Sequence, residues 1–292
     1  MRVTPGMLTQ TLLHNLQGLQ SRLDELSDQL TSGRRVRKPS DDPAGAAIAL
    51  DIRARQNRLE AQARGRGMAT DWLQSTETNL NDIAQTLARV KELSVQASST
   101  LLDQSSRNAI ADELDQILDH LVQVGNARIG DRFLFAGLRT TTPPFTRTPA
   151  TTTVTYGGTA SGVSMRVDAG VVMTVGVPGS SLASVFSAVG GLIDDLRTPG
   201  VVIGPARLQA VETAHDAVLA LQAQVGAKTN RLEAMEQRAG QDAVALASHL
   251  SEIEDTDFTA ALLDYQTHQT VYQAALAAGS KLIQPSLLDF LR

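Results

Sequence analysis

The sequence predicts a mostly α-helical protein with a small β-rich insert: a long antiparallel helical rod, a β domain at its tip, and terminal helices that pair as a coiled coil. Three observations carry this. Leucines near the N-terminus recur at alternating spacings of four and three, the mark of an a/d seam that calls for a partner helix. The 292-residue chain is 42% hydrophobic but only 3% aromatic, so its core must be mostly Leu, Val, Ile and Ala, a palette suited to helix-on-helix packing. One stretch in the middle is rich in Thr, Val, Gly and Pro instead, and such composition breaks helices and favours short strands.

The elements follow in order. Leu12, Leu16, Leu19, Leu23, Leu26 and Leu30 form the first seam, and Ser32-Gly33 ends its helix. The linker "SGRRVRKPSDDPAG" (residues 32–45) then crowds Arg34, Arg35, Arg37 and Lys38 before Asp41 and Asp42. Asp42 is placed to N-cap the next helix, with Pro43 at its first position and Asp41 adding negative charge at the positive helix end. No proline follows until well past Ser99. Ile48, Ile52, Arg55 and Leu59 lead into Leu73, Leu80, Ile83, Leu87 and Val90, a helical stretch of roughly 80 Å at 1.5 Å per residue. Gly65 and Gly67 predict a kink or interruption within it.

A further helix carries Ile110, Leu114, Ile117, Leu121 and Val124. Near Arg139 the pattern turns to β: Val163, Met165 and Val167 alternate, and "VVMTV" follows a turn. A short helix around Leu182 to Leu196 closes this insert. Helix returns after Pro205 with Val211, Ala214, Val218, Leu221, Val225, Leu232 and Met235 in register. The last stretch carries Phe258, Leu262, Tyr265, Tyr272, Leu276 and Ile283, and ends with Leu288 and Phe290. Five segments result: an N-terminal assembly helix and linker (1–42), the outgoing half of the rod (43–139), the β insert (140–204), the returning half (205–254) and a C-terminal assembly helix (255–292).

Composition and motifs exclude most chemistry. There is no cysteine, hence no disulfide, thiolate nucleophile or cysteine-held metal. No apolar run approaches the roughly 20 residues that span a bilayer, and the N-terminus lacks the h-region of a cleaved signal peptide. None of His14, His120, His215, His249 and His268 stands at metal-binding spacing from another. "EIEDTDF" (Glu252 to Phe258) crowds four acids but lacks the glycine and closing glutamate of a calcium loop; it reads as a solvated face or a helix cap. No group meets the requirements of an active site, so no enzyme, metal or cofactor is expected. Residues 1–70 carry 11 basic and 7 acidic side chains, and residues 205–292 carry 6 and 11. The two ends therefore attract one another. The basic linker has no aromatic neighbour, which argues against a nucleic-acid partner.

Residues 23–99 resemble the N-terminal domain of the flagellin superfamily: "L-x-SG-x-R" from Leu30 to Arg35, "DD" followed by Ala and Gly, and the run "RVKELSVQA". The C-terminus agrees in "NRLEAMEQRAG", "IEDTDFTAALLDYQTHQTVYQAALAA" and "LLDFLR". Three stretches, "KPSDDPAGAA", "RFLFAGLRTTTPPF" and "LLDFLR", point to a hook-associated member more than to a filament subunit. The resemblance implies a structural protein of the bacterial flagellum, exported through the type III channel without a cleaved signal. Its implied partners are copies of itself in a ring, an adjoining hook-associated protein, flagellin, and an export chaperone that holds the C-terminal helix in the cell. No membrane insertion is implied. The seam Leu12 to Leu30 would meet Phe258, Leu262, Tyr265, Leu276 and Ile283, while Arg34 and Arg35 would face acidic groups of neighbouring subunits. A filament subunit, or a coiled-coil adhesion protein without a flagellum, are the alternatives.

Overall fold

The computed structural model describes residues 5–99, 102–148 and 151–290. Six helices dominate: α1 (Pro5–Ser32), α2 (Pro43–Ala97), α3 (Gln104–Gly125), α4 (Ala183–Arg197), α5 (Pro205–Glu254) and α6 (Phe258–Phe290). Between α3 and α4 lie three antiparallel hairpins: β1 (Arg128–Ile129) with β2 (Arg132–Phe133), β3 (Phe145–Arg147) with β4 (Val154–Tyr156), and β5 (Ser164–Asp168) with β6 (Val171–Thr174). The chain divides into two compact units, residues 58–240 and residues 1–57 with 241–292. Both α2 and α5 contribute to each.

The unit 58–240 is built around one apolar core. Leu73, Leu80, Ile83, Leu87 and Val90 of α2 are buried, as are Ile110, Leu114, Leu118 and Leu121 of α3 and Val211, Ala214, Val218, Val225 and Leu232 of α5. These are the 3–4 patterns of the sequence with their apolar faces covered, except that α3 buries Leu118 where the pattern named Ile117, which is half-buried. Asp103 caps α3, accepting from the Ser106 N–H at 3.0 Å. The short helix α4 covers the core with Val185, Phe186, Val189, Leu192 and Ile193.

The hairpins are held to this helical scaffold individually. Phe145 packs on Phe186 with ring centroids 4.6 Å apart, and it reaches α3 over Gly125, where a Cβ would lie 2.7 Å from its ring. Arg147 pairs with Asp115 and Asp119 of α3. The β5–β6 hairpin approaches α2 at Gly65: a Cβ there would lie 2.3 Å from the Arg166 carbonyl oxygen. Arg66, only 3% exposed, donates to Glu236 of α5 at 2.6 Å and to the Val167 carbonyl at 3.4 Å.

Two expectations are corrected here. The glycines at 65 and 67 do not interrupt α2, which runs unbroken from Pro43 to Ala97. Gly65 serves close packing of a strand rather than a kink, and Gly67 has open space around it. β structure also begins at Arg128, ahead of the boundary placed at 139/140. "RIGDRF" makes a two-pair hairpin there, with Gly130 at φ 55° in the turn. Strands this short carry no alternation for a pattern to detect.

In the unit 1–57 with 241–292, α1 packs against α6. Leu12 meets Gly279, while Gly33 bonds Thr256, so the two helices run antiparallel.

Candidate assembly interface

Each predicted leucine of α1 is on its inner side. Leu26 is 2% exposed, and Leu12, Leu16, Leu19, Leu23 and Leu30 are half-buried among mostly exposed neighbours. Their 3–4 spacing puts them on one stripe of the helix.

The facing stripe of α6 differs from the expected one. The residues withdrawn from solvent are Ala261, Tyr265, His268, Tyr272, Ala275 and Gly279, at spacings of 4, 3, 4, 3 and 4. Phe258, Leu262 and Leu276 are exposed by 59%, 39% and 46%. Of the residues expected to meet the α1 leucines, Tyr265 alone lies on the inner stripe; the side chains of Ile283, Leu288 and Phe290 lie outside the described residues. The physical reason is volume. A seam of leucines needs holes opposite its knobs, and Ala261, Ala275 and Gly279 supply them between Tyr265, His268 and Tyr272. A Cβ on Gly279 would sit 2.7 Å from Leu12 Cδ2. Phe258, Leu262 and Leu276 face outward and make a second apolar stripe beside the buried one, with Leu263 and Val271 exposed on other faces.

The linker forms a clasp between two chain turns. Gly33 takes the left-handed conformation at φ 68° and ends α1. Arg34 bridges Asp255 in antiparallel fashion, the Arg35 N–H donates to the Glu254 carbonyl at 2.6 Å, and the Thr256 N–H donates to the Gly33 carbonyl at 2.9 Å. The Arg35 guanidinium donates to the Ile253 carbonyl at 2.8 Å and lies 3.7 Å from Asp42. At the centre is the Glu254 carboxylate, on a residue 4% exposed, accepting from Arg53 at 2.6 Å with Arg34 at 4.0 Å. A buried carboxylate needs such partners, because burial unpaired would cost several kcal/mol, on the order of 3–5.

The basic cluster also has partners within its own chain. Arg35 spends its donors inside its own chain, and Arg34 has Glu254 within reach, although both side chains stay about half exposed. Asp42 has the capping role that its position implies, while Asp41 binds the linker backbone rather than the start of α2. Asp42 Oδ1 accepts from the Gly45 N–H at 2.9 Å, capping α2 with Pro43 at its first position. Asp41 accepts from the backbone N–H groups of Lys38 at 2.9 Å and Arg37 at 3.1 Å, and these bonds hold its carboxyl below the usual carboxylate range. In "EIEDTDF", Asp257 caps α6 by accepting from the Thr259 and Ala260 N–H groups.

Sequence reasoning missed Arg53, Glu254 and the small members of the α6 stripe, Ala261, Ala275 and Gly279. The stripe had a signal: Ala261 to Gly279 keeps the 3–4 rhythm once alanine and glycine are counted as seam residues. Glu254 had none, because its partners are about 200 residues away in sequence.

Among the described residues no three His, Asp or Glu side chains stand where they could hold a metal, and no helix is long and apolar enough to cross a membrane.

Residues 4–140 match the bacterial flagellin N-terminal helical region, and residues 208–291 match the bacterial flagellin C-terminal helical region. The chain is 25% identical over 319 residues to the flagellar hook-associated protein 3 of Escherichia coli (strain K12), covering 99% of both chains. It is 22% identical over 320 residues to the flagellar filament 41 kDa core protein of Borreliella burgdorferi, covering 93% of this chain and 94% of the other. Among solved structures, a putative flagellar hook-associated protein from Vibrio parahaemolyticus superposes with a TM-score of 0.66 at 19% identity, over 74% of this chain and 100% of that one, which establishes the shared fold.

Proposed function

The chain belongs to the bacterial flagellin family, and from that premise we propose that it is a structural protein of the flagellum that forms the junction ring between hook and filament. One observation carries the choice of junction protein over filament subunit: the similarity to a hook-associated protein 3 runs end to end and is higher than that to a filament core protein of the same span. "KPSDDPAGAA" and "RFLFAGLRTTTPPF" favour the same choice. Its partners are then copies of itself, the adjoining hook-associated protein and flagellin, outside the cell. Inside it, an export chaperone would cover the amphipathic α6.

The mechanism follows from the two stripes of α6. In one chain the inner stripe covers the α1 leucines, and Phe258, Leu262 and Leu276 remain exposed. Burying one such side chain contributes about 1.5–3 kcal/mol, against about 1–2 kcal/mol per residue for ordering the backbone. A lone helix pair gains little by that balance, whereas neighbours in a ring cover the second stripe as well. Folding of the ends is thereby coupled to assembly. Ile283, Leu288 and Phe290 extend the same helix, and we include them in the interface.

Immunogold electron microscopy with antibody against the β insert tests the assignment. Label at a single spot between hook and filament is the expected result. Label along the whole filament would identify a filament subunit, and cells labelled away from flagella would overturn the flagellar reading altogether.

A further inference from the structure

Beside the clasp lies a cleft of about 220 Å³ between the linker and the start of α2. Four cations, Arg34, Arg37, Lys38 and Arg53, surround it with one carboxylate, Glu254, and its apolar wall includes Val36, Ala49 and Leu50. Small-molecule sites usually occupy about 300–1,000 Å³, so this cleft is too small for a typical ligand and suits one large side chain. Arg34 and Arg53 face Glu254 and Arg37 pairs with Asp28, which leaves Lys38 as the rim cation best placed for a side chain with acidic neighbours.

The chain presents such a side chain on its own surface. Phe258 is 59% exposed, and no other aromatic among the described residues is exposed to that degree. Asp255 and Asp257 precede it and are themselves exposed. Asp257 is fixed by capping α6, and Asp255 by the Ser251 hydroxyl that donates to it. The aromatic knob and its two charges are therefore pre-organised, which lowers the entropic cost of docking. Phe258 lines no part of the cleft of its own chain.

We infer that the cleft of one copy receives Phe258 of a second copy, with Asp255 and Asp257 of that copy on the cationic rim. This rests on the ring-forming function proposed above and adds the contact that closes the ring. Cleft and knob are made of different residues, so the contact can run head to tail from copy to copy, and such repetition generates a ring when the rotation closes. An aromatic at the centre with a polar rim around it is also the usual anatomy of an interface.

The absence of native cysteine allows a clean test. Lys38→Cys and Thr259→Cys variants, each with its own tag, are co-expressed in flagellated cells, and the isolated flagella are oxidised. Thr259→Cys leaves Phe258 and both aspartates in place. A disulfide dimer carrying both tags, absent from flagella holding either variant alone, is expected. Both variants present at wild-type amounts without the mixed dimer would overturn the contact while leaving the junction function standing. Absence of the wild-type chain from flagella would instead overturn the function and the contact with it. Should the cysteine variants fail to enter flagella, charge exchange decides. Lys38→Glu is expected to lose incorporation and Lys38→Glu with Asp255→Lys to regain it; failure of the pair to regain it, with helix content unchanged by circular dichroism, would overturn the contact.

Discussion

The two units of this chain are made of the same material and finished differently. In residues 58–240, α2, α3, α4 and α5 cover one another's apolar faces, and Leu73, Leu80, Leu87, Leu114, Leu118 and Val218 reach zero exposure. In residues 1–57 with 241–292, α1 and α6 cover one stripe each, and Leu26 is the one leucine of the α1 seam that is fully buried. The difference is one of layers. Two helices can bury a seam between them but cannot enclose a core. The first unit finds its remaining layers within the chain; the second leaves Phe258, Leu262, Leu263, Val271 and Leu276 exposed.

The largest expected effect separates the units directly. Leu114→Ala in the closed core should destabilise the isolated protein by about 2–5 kcal/mol, read by urea unfolding. Leu262→Ala, on the bare stripe, should change the same measurement by less than about 0.5 kcal/mol while reducing assembly onto the hook. Equal losses of monomer stability would erase the distinction between the two regions.

A second comparison lies within the closed unit. Gly65→Ala drives a Cβ to 2.3 Å from the backbone oxygen of Arg166, and backbone cannot swing aside as a side chain can. A loss of about 1–3 kcal/mol is expected, as for other overpacking changes, together with faster hydrogen exchange in β5–β6. Gly67→Ala meets nothing within 4 Å and should gain about 0.5–1 kcal/mol from helix propensity. Thermal denaturation of the two variants gives opposite signs if hairpin docking is what requires Gly65.

These contrasts also locate what was legible beforehand. Helices were legible because their signal is local and repeated: Leu73 to Val90 and Leu12 to Leu30 fix a face by spacing alone. The partner stripe on α6 was misplaced because size was taken for burial, and Phe258, Leu262 and Leu276 outshone Ala261, Ala275 and Gly279. A seam is complementary, so the small side is as informative as the large. Glu254 was illegible for a different reason. A carboxylate at position 254 looks like any surface acid until folding brings Arg53 and Arg34 to it, and no local pattern encodes that encounter. Likewise Gly65 looks the same as Gly67 in sequence, and the strand that distinguishes them lies about 100 residues on.

The clasp gives a smaller effect, confined to the open unit. Glu254→Gln keeps the shape and removes the charge that Arg53 and Arg34 face. The Arg53 side chain is 42% exposed and can turn to water, so the loss should be about 1 kcal/mol, the scale of one hydrogen bond. Exchange of the Arg35 and Thr256 amides should accelerate, because both report opening of the clasp. Amides of α3 should not respond. Acceleration throughout the chain would mean that the clasp and the closed core unfold as one.

The smallest effect concerns acid, and it separates the units by residue. Hydrogen bonds from Ser106 hold the Asp103 carboxyl below its ordinary value of 3.8, and backbone N–H groups of Lys38 and Arg37 do the same for Asp41. A depressed carboxylate stabilises the folded state above its unfolded pKa and loses that contribution as pH falls through the folded one. Both contributions are therefore complete at neutral pH and fade below about pH 4. Asparagine can still cap a helix but cannot titrate. Asp103→Asn should flatten the acid limb of protection for α3 and leave the linker unchanged, whereas Asp41→Asn should flatten it for residues 33–36 and leave α3 unchanged. Hydrogen exchange across the acid range resolves the two. A change in both regions from either substitution would show that the open unit already shares the cooperativity of the closed one, before any neighbour has completed it.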